Sequence, residues 1–306
     1  MFIKIASDWL WLIKTEEVVI MYEIKNAQYS VEIDPFGGII GRITDLRDGE
    51  ILTFQGDSEY WNHSDHVMFP WVCRMADGYY EVDGQKFQAD IHGFAKDSDF
   101  SLIDKTDCTV TLGLTASAET KRVYPYEFEL RVSYGLAANK LQVRYTVTNT
   151  DGKTIYFGIG AHPSFTLDGE NGDTNGNFLI LPEAEYVGYK VDKKNVLLLP
   201  ESSFGTLSTI ELSKSFFAEY DTLLVQRRGK SVKLVRRCGK TVTVECESPI
   251  IAVWSHPSKG NYVCIESFWG LPDLSGGVTR ELKDKKYIND LEAGKSKCFG
   301  YDIIFN

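Results

Sequence analysis

Polarity alternates with a period of two residues along segment after segment of this chain, and no other feature limits its fold as much. Tyr29, Val31 and Ile33 interleave with Ser30, Glu32 and Asp34. Phe128, Leu130, Val132 and Tyr134 interleave with Glu127, Glu129, Arg131 and Ser133, and Leu141, Val143, Tyr145 and Val147 with Gln142, Arg144, Thr146 and Thr148. Successive side chains of a strand point to opposite faces, so each segment has one buried face and one wetter face. Further strands are expected over Thr109–Thr115, Lys153–Gly160, Ser231–Val235, Thr241–Glu247, Ile250–Ser255 and Tyr301–Phe305. Asp83-Gly84 separates Tyr79–Val82 from Lys86–Gln88 and suits a type I′ hairpin, whose two central residues need positive φ. Asp48-Gly49 and Asn149-Thr150-Asp151-Gly152 read the same way. Short helices fit only Leu212–Asp221 and Lys283–Asp290, and the Gly- and Asn-rich loop Asp168–Asn177 reads as an exposed excursion. Many short strands joined by Gly, Asn and Asp turns predict an all-β protein, a large antiparallel β-sandwich with few short helices. No Pro- or Ser-rich linker interrupts it, which predicts a single domain over 21–306.

The first twenty residues follow another rule. Trp9-Leu10-Trp11-Leu12-Ile13, flanked by Lys4, Asp8 and Lys14, is too short to span a bilayer, and no small-residue cleavage site follows it. Residues 1–20 therefore read as an appendage or an upstream mis-start, with folding information beginning near Met21. The six cysteines are scattered without a C-x-x-C pair and read as free, mostly buried thiols of a reducing compartment, the cytoplasm. A formal net charge of −10 argues against nucleic acid or an anionic membrane as partner, since both attract clustered Lys and Arg. Neutral ligands are unaffected by that field.

Candidate chemistry sits in a few places. Of five histidines, two have unusual settings: Asp90-Ile91-His92-Gly93-Phe94 and Gly160-Ala161-His162-Pro163-Ser164-Phe165. Pro163 biases His162 to an extended backbone, and the small residues before it leave room beside the chain. Both fit structural, hydrogen-bonded histidines as well as functional ones. In Tyr262-Val263-Cys264-Ile265-Glu266-Ser267-Phe268-Trp269, alternation puts Tyr262, Cys264 and Glu266 on one face. A carboxylate among Cys, Ile, Phe and Trp is partly desolvated, which raises its pKa toward that of a useful general base. A Glu paired with a cation at a sheet edge fits the same residues. Arg74, ending Met68-Phe69-Pro70-Trp71-Val72-Cys73, is either a structural cation or a donor of two fixed hydrogen bonds. Asp221 fits a turn or helix cap better than a site.

Taken in order, Arg74, the His-Gly-Phe segment, the His-Pro segment, the Asp221 segment and Cys264-Ile265-Glu266 with Trp269-Gly270-Leu271-Pro272-Asp273 resemble the aldose 1-epimerase (galactose mutarotase) family, in particular its LacX-like branch. The resemblance spans Met21 to Asn306. It implies a large β-sandwich and cofactor-free interconversion of sugar anomers, with a monosaccharide as partner. By position it implies Glu266 as general base, His162 as general acid, and His92, Arg74 and Asp221 as residues that hold the sugar. Cys73 stands where the family more often has Gly, and the Asp221 segment matches loosely.

That chemistry suits these side chains. One group takes the C1 hydroxyl proton while another protonates the ring oxygen from the opposite side, the C1–O5 bond opens, C1–C2 rotates, and the steps reverse. The pair exchanges roles on reclosure, so both pKa values belong near working pH. Trp269, Phe268 or Trp71 offers a stacking face for a pyranose, although most aromatics of this chain belong to the core. Three other readings remain. A hexose 6-phosphate mutarotase needs cations, for which Arg42, Arg47, Lys121 and Arg122 are available. A non-enzymatic carbohydrate-binding protein has no need of a titrating pair. A zinc enzyme built on His92, His162 and Glu266 lacks the H-E-x-x-H spacing.

Overall fold

A computed structural model describes residues 21–169, 173–192, 197–256 and 260–306; the appendage read over 1–20 lies outside the described residues. The three alternating segments form the strands Tyr29–Asp34, Phe128–Ala137 and Lys140–Asn149. In the last two, Leu130 faces Val147, Val132 faces Tyr145 and Tyr134 faces Val143, all buried, so the apolar halves of both alternations meet across one face.

Among the described residues, fifteen strands make one antiparallel sheet. It runs from Val67–Met68 through Ile159–Ala161, Tyr262–Trp269, Ile250–Trp254 and Thr222–Gln226 to Phe178–Tyr189. From there it continues through Ser296–Phe305 to Lys140–Asn149, Phe128–Ala137 and the edge strand Ser101–Lys105. Twisted sheets of this many strands cannot stay open, because strand twist accumulates and curls them. Phe69, next to one edge, accordingly meets Phe128, near the other, with ring centroids 5.0 Å apart. A second sheet of four strands (Tyr22–Lys25, Tyr29–Asp34, Ile39–Asp45, Glu50–Ile51) packs against it. Tyr29 lies 4.8 Å from Phe305, and the Tyr134 hydroxyl donates to the Gly38 carbonyl. The result is the all-β sandwich that the period-2 pattern predicts, with a continuous core reaching from Ile24 to Phe305. No helix among the described residues is long and apolar enough to cross a membrane.

Several local expectations change. Lys153–Gly160 is two strands, Ile155–Phe157 paired with Asn289–Leu291 and Ile159–Ala161 in the large sheet. They divide at Gly158, where a Cβ would stand 3.3 Å from the Trp71 Cα and 3.6 Å from the Gly270 Cα. Asp83 (φ 51°) and Gly84 (φ 76°) turn the expected two-residue hairpin. Asp48-Gly49 closes a four-residue loop instead, since Asp45 pairs with Glu50. Asn149–Gly152 makes no hairpin; the buried Asn149 amide donates to the Lys153 and Leu291 carbonyls and links two sheets. Leu212–Asp221 contains the helix Lys214–Tyr220, capped by Ser213, but Lys283–Asp290 holds only the single turn Leu282–Asp284. A helix absent from the sequence reading, Ala118–Val123, starts at a Ser117 capping box. The base of the Asp168–Asn177 excursion is pinned, with Thr174 and Asn177 buried. The cysteines are unpaired, but only Cys246 and Cys264 are buried. Cys108, Cys238 and Cys298 lie in turns or on the wet face of a strand and are exposed, so "mostly buried" does not describe them.

Candidate active site

Three neighbouring strands bring the polar residues into one row. Ala161 pairs with Val67 on one side and Ser267 on the other, and Ser164 pairs with Cys264. Continuing that register by one residue places His162 between His66 and Glu266. The chain leaves the row through Pro163, whose carbonyl accepts from the Ile265 N–H at 3.2 Å. Glu266 Oε2 lies 3.4 Å from His162 Nε2, and the His66 and His162 rings are 5.5 Å apart.

His92 arrives from a loop. It stands at φ 65°, donates its N–H to the Cys73 carbonyl, and accepts the Cys73 N–H on Nδ1 at 3.1 Å. With Nδ1 serving as acceptor, the proton of the neutral imidazole resides on Nε2, which is left to donate. Its ring is 5.5 Å from that of His162 and 5.8 Å from that of His66. Cys73 itself is at φ 52°, a left-handed position that glycine adopts without a Cβ penalty, which explains why glycine suits this point of the motif. Gly93 cannot be replaced so easily. At φ +74° its missing Cβ would lie 2.1 Å from the Phe69 carbonyl oxygen, to which Phe94 and Ala95 donate. We expect Gly93→Ala to lose at least the ~1–3 kcal/mol of such backbone strain and to displace His92, read as a lowered Tm together with a raised KM.

These residues line a cleft of about 440 Å³, within the range of small-ligand sites. Asp221 lines it from the far wall, as the residue ending helix Lys214–Tyr220 at φ 58°, ψ −68°. Trp61 and Trp254 flank His162 with ring centroids 5.3 and 5.8 Å away, and both indoles line the cleft. Burial then governs the electrostatics. It pushes the Glu266 carboxyl well above its usual range, helped by the negative charge of Asp65. It holds His162 down to about 4. Desolvation disfavours the charged form of both partners, so burial works against an ion pair at this contact. His92 and His66 are also depressed, first by burial and then by His162.

The structure thus gathers Glu266, His162, His92 and Asp221 in one cavity. Arg74 stays out of it: its side chain is exposed at the rim, close enough for its charge to lower His92 but not part of the lining. Trp269 is excluded too. Glu266 and Phe268 face the cleft, so the odd-numbered Trp269 points through the sheet, edge-on to Phe299 at 5.4 Å, into an open groove of about 570 Å³. Trp71 is core, against Tyr80. Residues that the sequence reading passed over take their places: His66, Trp61, Trp254 and Lys96. The segment Tyr60-Trp61-Asn62-His63-Ser64-Asp65-His66 carried the signal, two histidines and two aromatics in seven residues, but no strand pattern. Among the described residues no group of three or more His, Cys, Asp and Glu side chains has metal-holding geometry.

Comparison with known proteins agrees with this fold. The profile of the aldose 1-epimerase family matches residues 21–273. The chain is 28% identical over 300 residues to protein LacX of Lactococcus lactis, covering 92% of this chain and 98% of that protein. A galactose mutarotase related enzyme from Lactobacillus acidophilus superposes with a TM-score of 0.88 at 30% identity, over 94% of this chain and 97% of the other. A galactose mutarotase-like protein from Lactobacillus casei shares the fold, with a TM-score of 0.84 at 24% identity over 94% and 100%.

Proposed function

Because the chain belongs to the aldose 1-epimerase family, we propose that it interconverts the α and β anomers of a free hexose by acid–base ring opening without a cofactor. The observation that carries this reading is the Glu266–His162 contact at 3.4 Å, buried yet lining the cleft. In the expected mechanism the ionised Glu266 takes the proton of the C1 hydroxyl while His162 delivers its N–H proton to O5. The C1–O5 bond breaks to give the aldehyde, C1–C2 rotates, and O1 receives the proton back from Glu266 as His162 recovers its own from the O5 hydroxyl. The cycle closes without a net proton, and both groups end as they began.

The sequence reading put acid and base on opposite sides of the ring, whereas in the cleft they abut on neighbouring strands. O1 and O5 are both bonded to C1, so an adjacent pair reaches both oxygens of one hemiacetal from a single edge. His92 donates from Nε2 to a sugar hydroxyl, Asp221 accepts from another, and the Trp61 and Trp254 indoles exclude water and cover the apolar face of the pyranose. Polarimetry on freshly dissolved α-glucose and α-galactose tests the reading: rotation should reach equilibrium faster with enzyme than in buffer, chelator present or not. A rate equal to that of buffer on a panel of hexoses defeats it.

Lys96 favours a second reading, a mutarotase for an anionic sugar. Its side chain is 14% exposed, lines the cleft, and its charge helps to depress His63, His66 and His92. The cations named from sequence are elsewhere: Arg42 pairs with Glu32, Arg47 with Asp45 and Lys121 with Glu127. Lys96, however, already pairs with Asp97, which offsets its charge. We therefore expect kcat/KM to be higher for glucose than for glucose 6-phosphate, and Lys96→Ala to leave that order unchanged. A preference for the phosphosugar that Lys96→Ala erases establishes the second reading instead.

A further inference from the structure

One imidazole of the row has no task in the mechanism. Gly160 pairs with Met68 and Ala161 with Val67, so His66 lies beside His162, on the side away from Glu266. Its backbone is fixed, since its N–H donates to Asp65 Oδ1 at 2.7 Å. Its side chain is packed by other rings: His63 at 4.5 Å, His162 at 5.5 Å and Trp61 at 5.9 Å, the last two edge-on. The residue is 6% exposed and lines the cleft. Among the described residues no protein group hydrogen-bonds to either ring nitrogen, and neither is sealed off as His162 Nδ1 is. A phenylalanine would make the same ring contacts without the cost of taking two polar nitrogens out of water. An imidazole buried here, with both nitrogens free and facing a ligand cleft, is placed to meet polar atoms of the ligand.

We propose that His66 is a specificity-determining residue: it hydrogen-bonds the C6 hydroxymethyl group of the sugar and so selects hexopyranoses over pentopyranoses and 6-deoxy sugars. This rests on the anomer-exchange reading, which sets the direction of the sugar along the row. With O1 at Glu266 and O5 at His162, the edge of the ring continues from O5 to C5, and the substituent on C5 is C6 with its hydroxyl. The side chains Glu266, His162 and His66 therefore follow one another in the order of the oxygens O1, O5 and O6 along a pyranose edge. Burial, and after it the neighbouring imidazoles, hold His66 well below its usual pKa. At neutral pH its ring thus carries one N–H and one bare nitrogen, which suits a hydroxyl, itself both donor and acceptor. An anionic group at C6 would find no positive charge on this ring.

Glucose, 6-deoxyglucose and xylose share one pyranose ring and differ only in what C5 carries: hydroxymethyl, methyl or hydrogen. Wild type should favour glucose over 6-deoxyglucose in kcat/KM by ~10-fold, the order of one neutral hydrogen bond, and over xylose by at least as much. His66→Phe, which keeps the ring packing and deletes both nitrogens, should bring the ratio of glucose to 6-deoxyglucose close to unity. His66→Leu serves if the larger ring does not fit, and His66→Gln, which restores a donor and an acceptor, should recover part of the preference. A wild type that treats glucose and 6-deoxyglucose alike overturns the proposal. So does a folded His66→Phe that slows all three sugars by one factor, since a structural prop does that. Binding separates this from the parent reading. Trp61 and Trp254 line the cleft, so quenching of indole fluorescence gives the Kd of each sugar without any turnover. Protein that binds glucose more tightly than 6-deoxyglucose through His66 but speeds no anomer exchange refutes the parent reading alone; protein that speeds exchange with no regard to C6 refutes this one alone.

Discussion

Glu266→Gln should bring anomer exchange down by ~10²–10⁴-fold, the usual worth of one positioned acid–base group, while the sugar continues to bind. The amide fills the volume of the carboxyl beside His162 and Ala252, so the cleft keeps its shape. What it loses is the ability to take a proton from O1. The loss therefore falls on kcat, with KM little changed, because proton transfer is an interaction made only on the way to the transition state. Stability should not suffer. Glu266 is 3% exposed, and exchanging a buried ionisable group for a neutral isostere removes a desolvation cost. The pH profile supplies an independent check with a definite sign. The base must be ionised to act, and burial raises its pKa, so wild-type kcat/KM is present above that pKa and falls as pH drops through it. That limb should vanish in the variant. Polarimetry on α-glucose decides the matter: an amide variant as fast as wild type would remove Glu266 from the reaction.

Much of this arrangement was legible in the sequence because strand chemistry is local. Alternation alone identified the strand faces, and Asp83-Gly84 identified a turn, since both signals are complete within a few residues. Strands that depend on their partners were not legible. Phe178–Tyr189 carries Pro182 and Glu183 at its centre, and it is a strand only because Ser202–Glu211 accommodates them in a register shift between Ile180 and Ala184. At the site, Glu266 and His162 were singled out by their motifs, and the row they form follows from register. His66 was not, because nothing in Asn62–His66 announces that its last residue is opposite His162. Trp269 is the more instructive case. The same alternation that put Glu266 toward the cleft required its third successor to face away, so parity should have overruled the appeal of an indole near a sugar site. Arg74 differs: it follows Cys73 at φ 52°, its side chain is exposed, and it lies near enough to His92 for its charge to depress that imidazole.

His162→Gln tests whether acid and base act as a unit. Alone it should cost kcat ~10²–10⁴-fold, since the amide can donate a hydrogen bond to O5 but cannot surrender the proton that ring opening needs. The informative measurement is the double variant. If Glu266 and His162 served separate steps, their losses would multiply. Their geometry argues otherwise: at 3.4 Å, on adjacent strands, they meet the two oxygens of one carbon, and neither transfer completes anomer exchange without the other. Once the base is gone, protonation of O5 leads nowhere, and removing the acid as well should cost little more than the worse single change, as for other groups that function together. Losses that multiply in the Glu266→Gln/His162→Gln variant, with all three proteins folded and still binding sugar, would mean that the contact is incidental and that one of the two groups acts elsewhere.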